Sequence, residues 1–162
     1  MMKLALTGAL LSAACSLACA GDVLLSGQVQ RVVLQPSGTG DCPPPCGVPD
    51  SSQRVCVTNM GGCEAMEVKV DRVYRGQAGP THRFARRIGE WGPGFPVTDK
   101  QIVVHEEGGN VGWSLATVRD GKTYIDPKRL RTIGGVATAT AATAEGELVA
   151  LDEVLARAGA AR

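Results

Sequence analysis

The chain has few aromatic side chains and almost no net charge. Phe, Trp and Tyr make up 4% of its 162 residues, and the formal charge at pH 7 is +1. Proteins that bind single-stranded nucleic acid combine stacking aromatic rings with a basic groove, so this class is not expected. The low net charge also gives no reason to expect attraction to an anionic membrane surface.

Histidine is scarce as well, because the chain contains only two. The sequence has no G-x-S-x-G motif, no P-loop and no dinucleotide-binding glycine pattern. The one close acid–imidazole group is His105 with Glu106 and Glu107, of which His105 and Glu107 can share a face of a strand. Adjacent carboxylates on opposite faces cannot act as a glycosidase pair. We therefore expect no enzyme, and a hydrolase centred on His105 and Glu107 is the catalytic alternative.

A long apolar run occurs only within the first twenty residues. A short basic start precedes an uncharged stretch, and residues 18–20 (ACA) have the small-x-small pattern of a signal-peptidase site. The sequence therefore predicts a signal peptide over residues 1–20 with cleavage after Ala20. The mature protein is then periplasmic or secreted.

Lipoprotein processing at Cys19 is the alternative to simple cleavage. The apolar residue usual three places before a lipidated cysteine is missing there. Acylation of Cys19 would make the chain an outer-membrane lipoprotein of unknown role, anchored by acyl chains. No later apolar stretch is long enough to span a bilayer.

The rest of the chain has the pattern of a β protein. Roughly 140 residues follow the predicted signal peptide, enough for one domain with a hydrophobic core. Short runs alternate apolar and polar residues between turns rich in glycine. Gly27 interrupts the first run, as glycine does at a bulge or a barrel bend. Asp120-Gly121 predicts a hairpin with a type I′ turn.

About seven strands followed by one amphipathic segment favour a mainly β fold with a C-terminal α-helix. We predict a small OB-type β-barrel that is stapled by disulfides. The predicted organisation after the signal peptide is a β-barrel domain over residues 21–135, an Ala/Thr linker over 136–144 and a helix over 145–160.

Two segments resemble a known family. Gly27-Gln-Val precedes a loop with cysteines, and residues 68–76 read VKVDRVYRG. Both are similar to strands of the netrin-like and tissue-inhibitor-of-metalloproteinase-like OB-fold group, and the resemblance covers roughly residues 21–87. Members that inhibit metalloproteinases begin with Cys-x-Cys, which chelates the zinc of the target. Here cleavage leaves Gly21 first, so the resemblance implies the fold but not that mechanism.

Four cysteines remain after the predicted signal, and an even number in an exported chain indicates two disulfides. They are Cys42, Cys46, Cys56 and Cys63. The three prolines between Cys42 and Cys46 favour an extended backbone, which would place their Cα atoms about 12 Å apart, too far for a disulfide. We therefore expect the proline-rich loop to be cross-linked to the Cys56–Cys63 segment, in either of the two remaining connectivities.

A soft-metal site is the alternative role for this sulfur. Met60, Cys63 and Met66 lie three residues apart, and thioether and thiolate ligands select Cu(I), while four cysteines can hold Zn. The cysteine spacings are unusual for zinc, and an oxidising compartment favours disulfides. Met66 also has the phase of a core residue. We accordingly expect no metal and no other cofactor.

Two restricted loops and one basic cluster are the candidate binding surface. Trp91 and Phe95 lie in a Gly/Pro-rich loop, and the second loop is the proline-rich loop that contains Cys42. The basic cluster is His82, Arg83, Arg86 and Arg87, in which alternation places His82 and Arg86 on one face and the other two on the opposite face. The sequence predicts a non-catalytic binding module with a protein or saccharide partner and no nucleic acid.

Overall fold

The fold is described from a computed structural model, which covers residues 22–44, 61–92, 94–142, 144 and 147–160. The described residues are mainly β, and among them one α-helix lies near the C-terminal end. The predicted signal peptide, Cys19, Cys46, Cys56 and Met60 lie outside the described residues. In the described part, no helix is both long enough and apolar enough to cross a membrane.

Five antiparallel strands form the main sheet, in the spatial order β3-β2-β1-β4-β5. The strands are β1 (Val23–Gln35), β2 (Cys63–Arg75), β3 (Thr81–Arg87), β4 (Gln101–Glu107) and β5 (Asn110–Leu115). β1 is central because its first half pairs with β4 while its whole length pairs with β2. The sheet is therefore continuous through β1.

The predicted irregularity at Gly27 is confirmed. The pairing register of β1 with β2 shifts between Ser26 and Gly27. A Cβ atom on Gly27 would lie 2.2 Å from the Lys69 carbonyl oxygen and 2.7 Å from Val68 Cγ1. Only glycine allows β2 to approach this closely, and such a bulge increases the local bend of the strands.

The main sheet curls around one hydrophobic core. The edge strands β3 and β5 contact each other, although the hydrogen-bonded sheets of the described residues do not close into a barrel. Side chains from every strand of the sheet and from the β3–β4 loop fill the concave side. The buried members of this core are Val23, Leu25, Met66, Val68, Phe84, Phe95, Ile102, Val104 and Val111.

A second layer covers the opposite face of β1 and β4. It contains β6 (Thr117–Arg119), β7 (Lys122–Ile125), β8 (Thr132–Ile133), β9 (Val136–Ala137), β10 (Val149–Ala150) and the helix α1 (Leu151–Ala160). Adjacent residues such as Leu24 and Leu25 belong to different cores because successive side chains of a strand point to opposite faces. The sheet is thus buried on both sides near β1 and β4.

The C-terminal part of the chain agrees with some expectations and differs from others. The Asp120-Gly121 turn is confirmed, with φ of 49° and 74° between β6 and β7. The segment expected to be a linker instead supplies β9 and a 3₁₀ helix, Thr138–Ala141, that buries Thr138. The α-helix begins at Leu151 rather than at residue 145, because the two residues of β10 pair with β7.

Candidate functional site

The predicted basic cluster lies on the edge strand β3. Arg83 and Arg87 are exposed on the outer face, while Arg86 is half-buried on the inner face beside Phe84. The predicted separation of these arginines onto two faces is therefore confirmed. The three guanidinium groups do not form a single anion site, and each has a different partner.

Arg86 pairs with a buried carboxylate that was not predicted as a site residue. Glu64 is 0% exposed, and its Oε1 lies 2.6 Å from Arg86 Nε. The backbone amide of Gly94 donates to both oxygens of Glu64, at 2.8 and 2.9 Å, and the amide of Phe95 donates to Oε2 at 3.0 Å. A buried charge needs this number of partners to offset its lost hydration. Glu64 consequently fixes the base of the β3–β4 loop, residues 88–100.

The sequence contained a signal for Glu64. In the alternating strand β2, position 64 has the same phase as Met66 and Val68, which point into the core. A charged residue at a core-facing position of a strand indicates a buried partner. That partner, Arg86, is the register neighbour of Glu64 on β3.

The two aromatic residues of the loop have different environments. Phe95 is 6% exposed and packs in the core, where the Arg86 guanidinium lies 4.8 Å from its ring centroid. Trp91 is 97% exposed. Of the two rings predicted to bind a partner, the structure presents only Trp91 to solvent. Phe95 holds the loop in place.

Trp91 lies in a tight turn with a well-anchored base. Gly92 N donates to Gly89 O at 3.1 Å, which closes the turn around Trp91. On the other side of the loop, Trp113 Nε1 donates to Gly94 O at 2.7 Å. Glu64 and Trp113 thus hold the backbone at Gly94 and Phe95, on the C-terminal side of the exposed ring.

A disulfide joins Cys42 to Cys63, with 5.6 Å between the Cα atoms. It ties residues 36–44, called here the Cys42 loop, to the start of β2. The expected cross-link between the proline-rich loop and the Cys56–Cys63 segment is therefore present, in one of the two connectivities left open. Cys46 and Cys56 lie outside the described residues.

The Cys42 loop and β3 enclose a groove of ≈ 290 Å³. Asp41 Oδ2 lies 3.2 Å from Arg83 Nη1, and Arg87 Nη2 donates to the Pro44 carbonyl at 3.4 Å. These contacts span the groove from the loop to the strand. The lining residues are Gln35, Asp41, Pro43, Cys63, Glu64, Arg83, Ala85, Arg86 and Arg87.

A row of alternating charges crosses the outer face of the sheet beside the groove. Arg31 on β1 pairs with Glu67 on β2 at 2.5 Å, and Glu67 is the register neighbour of Arg83 on β3. The hydrogen bond from Arg31 holds the pKa of Glu67 below its usual value, with a smaller contribution from the charge of Arg83. Glu67 is thus mainly neutralised by Arg31.

His105 lies away from this surface, buried between the sheet and the second layer. Its Nε2 is 2.8 Å from Asp22 Oδ1 and its Nδ1 is 3.1 Å from the Thr132 carbonyl oxygen. Both neighbours are acceptors, so both bonds form together only when the imidazole carries a proton on each nitrogen. With 4% of its surface exposed, His105 offers no free ring nitrogen to a substrate. Its partner is Asp22, and the predicted pairing with Glu107 is not among the contacts of the described residues.

Asp22 also pairs with Arg75, whose Nη1 lies 2.7 Å from Asp22 Oδ2. Partial burial pushes the pKa of Asp22 upward, but hydrogen bonds and charge interactions with Arg75 and His105 outweigh it, and the net pKa lies below 3.8. The cluster ties the start of β1 to the end of β2 and to β4. Its arrangement is that of a structural ion network.

The sulfur atoms considered as soft-metal ligands have other roles where they are described. Cys42 and Cys63 are joined in the disulfide and supply no thiolate. Met66 is fully buried in the core. Among the described residues, no group of three or more His, Cys, Asp or Glu side chains has a metal-binding arrangement.

Comparisons with known proteins return no relative. No protein-family model matches the chain, and neither does any curated protein or solved structure.

Proposed function

We propose that this chain is an exported, non-catalytic binding module with a protein partner, and that Trp91 is the anchor of the binding surface. The single observation that carries the proposal is the 97% exposure of the Trp91 side chain on a loop whose base is held by a buried carboxylate.

The exposure of Trp91 has an energetic meaning. A tryptophan side chain buries about 150–250 Å² when it is covered, which corresponds to about 4–6 kcal/mol of apolar transfer free energy. Leaving the ring in water forgoes this free energy in the isolated domain. A partner that covers the ring recovers it, and tryptophan is among the residues most enriched at binding hot spots. The surface therefore suits a protein with an apolar pocket.

The anchoring of the loop supports the same function. Glu64 and Trp113 hold the backbone at Gly94, and Phe95 packs in the core. A loop that is already ordered loses little conformational entropy on binding, which leaves more of the contact free energy for affinity. A single exposed tryptophan suits a protein partner, because one such ring can serve as the central anchor of a protein–protein interface.

We make three further proposals, which concern the type of fold, the family and the location of the protein. We propose an OB-type barrel and a resemblance to the netrin-like group, supported by the five-stranded sheet whose edge strands meet and by the bulge at Gly27. We also propose a periplasmic or secreted location. The Cys42–Cys63 disulfide supports it weakly, since such bonds persist mainly in oxidising compartments.

Site-specific photo-crosslinking tests the function. The chain is expressed in its native cells with p-benzoylphenylalanine in place of Trp91, and a second variant carries the same group in place of Val118, which is exposed on β6. We expect one discrete protein adduct from position 91 and none from position 118. Equal adducts from both positions, or no protein adduct from position 91, would contradict the proposal.

A further inference from the structure

We infer that the groove between the Cys42 loop and β3 binds an extended acidic peptide segment, with Arg83 and Arg87 pairing with its carboxylates. This inference rests on the proposed function, because it specifies the chemistry of the protein partner. It concerns a surface other than the Trp91 turn, so the two can be tested separately.

The spacing of the two arginines matches an extended peptide. Arg83 and Arg87 lie four residues apart on the outer face of β3, which places their Cα atoms about 13 Å apart. Acidic residues four apart in an extended peptide have the same spacing and also share a face. Ala85 lies between the two arginines and lines the groove. Its small side chain leaves room for the ligand.

Asp41 shows that this geometry accepts a carboxylate. Its side chain reaches Arg83 from the facing loop at 3.2 Å, yet 80% of that side chain is exposed. An exposed ion pair of this kind contributes about 0–1 kcal/mol, so an incoming carboxylate can replace it at little cost. Asp41 thus occupies the position that we assign to an acidic side chain of the partner.

The charge balance of the groove favours an acidic ligand. Of the two acidic residues that line it, Glu64 is neutralised by Arg86 and two backbone amides. The remaining charges of the groove are one negative charge on Asp41 and two positive charges on Arg83 and Arg87, which point outward. Arginine binds carboxylates through paired, charge-assisted hydrogen bonds, which are stronger than neutral ones. The Cys42–Cys63 disulfide holds the opposite wall in place.

The size of the groove limits what can enter. A volume of ≈ 290 Å³ lies at the lower end of small-ligand pockets. It accommodates a few side chains of a peptide rather than a folded domain. The inference is therefore restricted to a short segment of the partner.

Fluorescence anisotropy with labelled octaglutamate at low ionic strength tests the inference, and octaglutamine is the uncharged reference peptide. We expect octaglutamate to bind more tightly than octaglutamine. Arg83→Gln and Arg87→Gln should each weaken binding about five- to tenfold. Ala85→Phe should also weaken it by filling the groove without changing charge. Arg119→Gln removes an exposed arginine on β6 and should leave the affinity unchanged.

Any one of the following results would overturn the inference. The first is equal binding of octaglutamate and octaglutamine. The second is equal loss in the Arg119→Gln and Arg83→Gln variants, or no loss in Ala85→Phe, which would mean non-specific charge attraction. The third is binding of a heparin octasaccharide in place of octaglutamate, which would assign the groove to a sulfated glycan.

A Trp91→Ala variant separates the inference from the proposed function. It should bind octaglutamate with unchanged affinity, because Trp91 does not line the groove. Failure of octaglutamate to bind, with the position-91 adduct intact, would remove only the groove assignment. Octaglutamate binding without that adduct would remove only the role of Trp91.

Discussion

Glu64 and Arg86 are register neighbours on β2 and β3, and their ion pair joins the sheet to the loop that carries Trp91. Glu64 Oε1 lies 2.6 Å from Arg86 Nε, and the two carboxylate oxygens also accept the amides of Gly94 and Phe95. One buried carboxylate therefore connects the edge strand β3 to the loop backbone at Gly94 and Phe95.

The Glu64→Gln variant should lose stability. Removing the charge leaves Arg86 without its partner and weakens the bonds to the loop amides, and breaking a buried ion pair typically costs about 3–5 kcal/mol. Urea denaturation of wild type and variant measures the difference. Glu67→Gln breaks the more exposed pair with Arg31 and should cost far less. Equal losses of unfolding free energy in the two variants would mean that the burial of Glu64 does not strengthen its ion pair with Arg86.

The two aromatic rings of the loop should behave oppositely when they are removed. Phe95→Ala deletes a core side chain, for which we expect a loss of about 3–5 kcal/mol. Trp91→Ala removes an exposed ring and should change stability by no more than about 0.5 kcal/mol. Thermal unfolding followed by circular dichroism measures both. A stable Phe95→Ala variant would contradict the assignment of this ring to the core.

Sequence patterns over a few residues predicted the features that depend only on neighbouring residues, such as strand alternation and tight turns. Alternation on β3 was enough to separate Arg86 from Arg83 and Arg87, and Asp120-Gly121 was enough to place the β6–β7 turn. The helix start was not predictable in this way, because β10 exists through its pairing with β7. That pairing is a tertiary effect that overrides local propensity.

The environments of His105, Phe95 and Glu64 depend on contacts with residues far apart in sequence, which local patterns do not report. The sequence pattern groups His105 with its neighbour Glu107, whereas its partner in the fold is Asp22, which directly precedes β1. The sequence leaves open whether the Trp91/Phe95 loop is exposed or folds back to cap the barrel, because the Gly/Pro-rich loop has no periodicity that reports burial. Glu64 could have been singled out from its core phase on β2, but its partners could not.

Gly27→Ala should destabilise the domain. The added Cβ atom would lie 2.2 Å from the Lys69 carbonyl oxygen, so β1 and β2 must separate at the bulge. Overpacking of this kind costs about 1–3 kcal/mol. Gly89→Ala is the matched control, because a Cβ atom there meets no atom within 4 Å. Equal melting temperatures of the two variants would show that β2 adjusts without cost.

The connectivity of the cysteines can be completed by elimination. With Cys42 and Cys63 joined, the other two cysteines that follow the predicted signal peptide can pair only with each other. We therefore predict a Cys46–Cys56 disulfide. Alkylation of the denatured, unreduced protein should add no mass in a Cys42→Ser/Cys63→Ser variant. Two alkylated thiols there would mean that Cys46 and Cys56 are not joined.

Loss of the Cys42–Cys63 bond should itself lower stability. The cross-linked residues are separated by 21 positions, and closing a loop of this length in the unfolded chain corresponds to about 3 kcal/mol. Urea denaturation of the Cys42→Ser/Cys63→Ser variant measures the loss. An unchanged midpoint would mean that the Cys42 loop is held by its other contacts, such as Arg83 with Asp41.

Acidification should weaken the fold through Asp22. Arg75 and His105 hold its pKa below 3.8 in the folded protein, so the unfolded chain binds a proton at this carboxyl first as the pH falls. The stabilisation is therefore complete above the unfolded value, near pH 4, and is lost as the pH falls through the lower folded value. Glu67, whose pKa Arg31 lowers, contributes in the same direction.

Unfolding free energies of wild type and Asp22→Asn, measured from pH 7 down to the acid transition, test the contribution of Asp22. The variant should be less stable than wild type at pH 7. The difference between them should shrink as the pH falls from about 4 through the lower folded pKa of Asp22, because that carboxyl group then takes up a proton and loses its charge. Asp99→Asn, at a carboxylate with no ion pair among the described residues, is the control. The difference in unfolding free energy could instead stay constant down to the acid transition. Asp22 would then act through packing and hydrogen-bond geometry rather than through its charge.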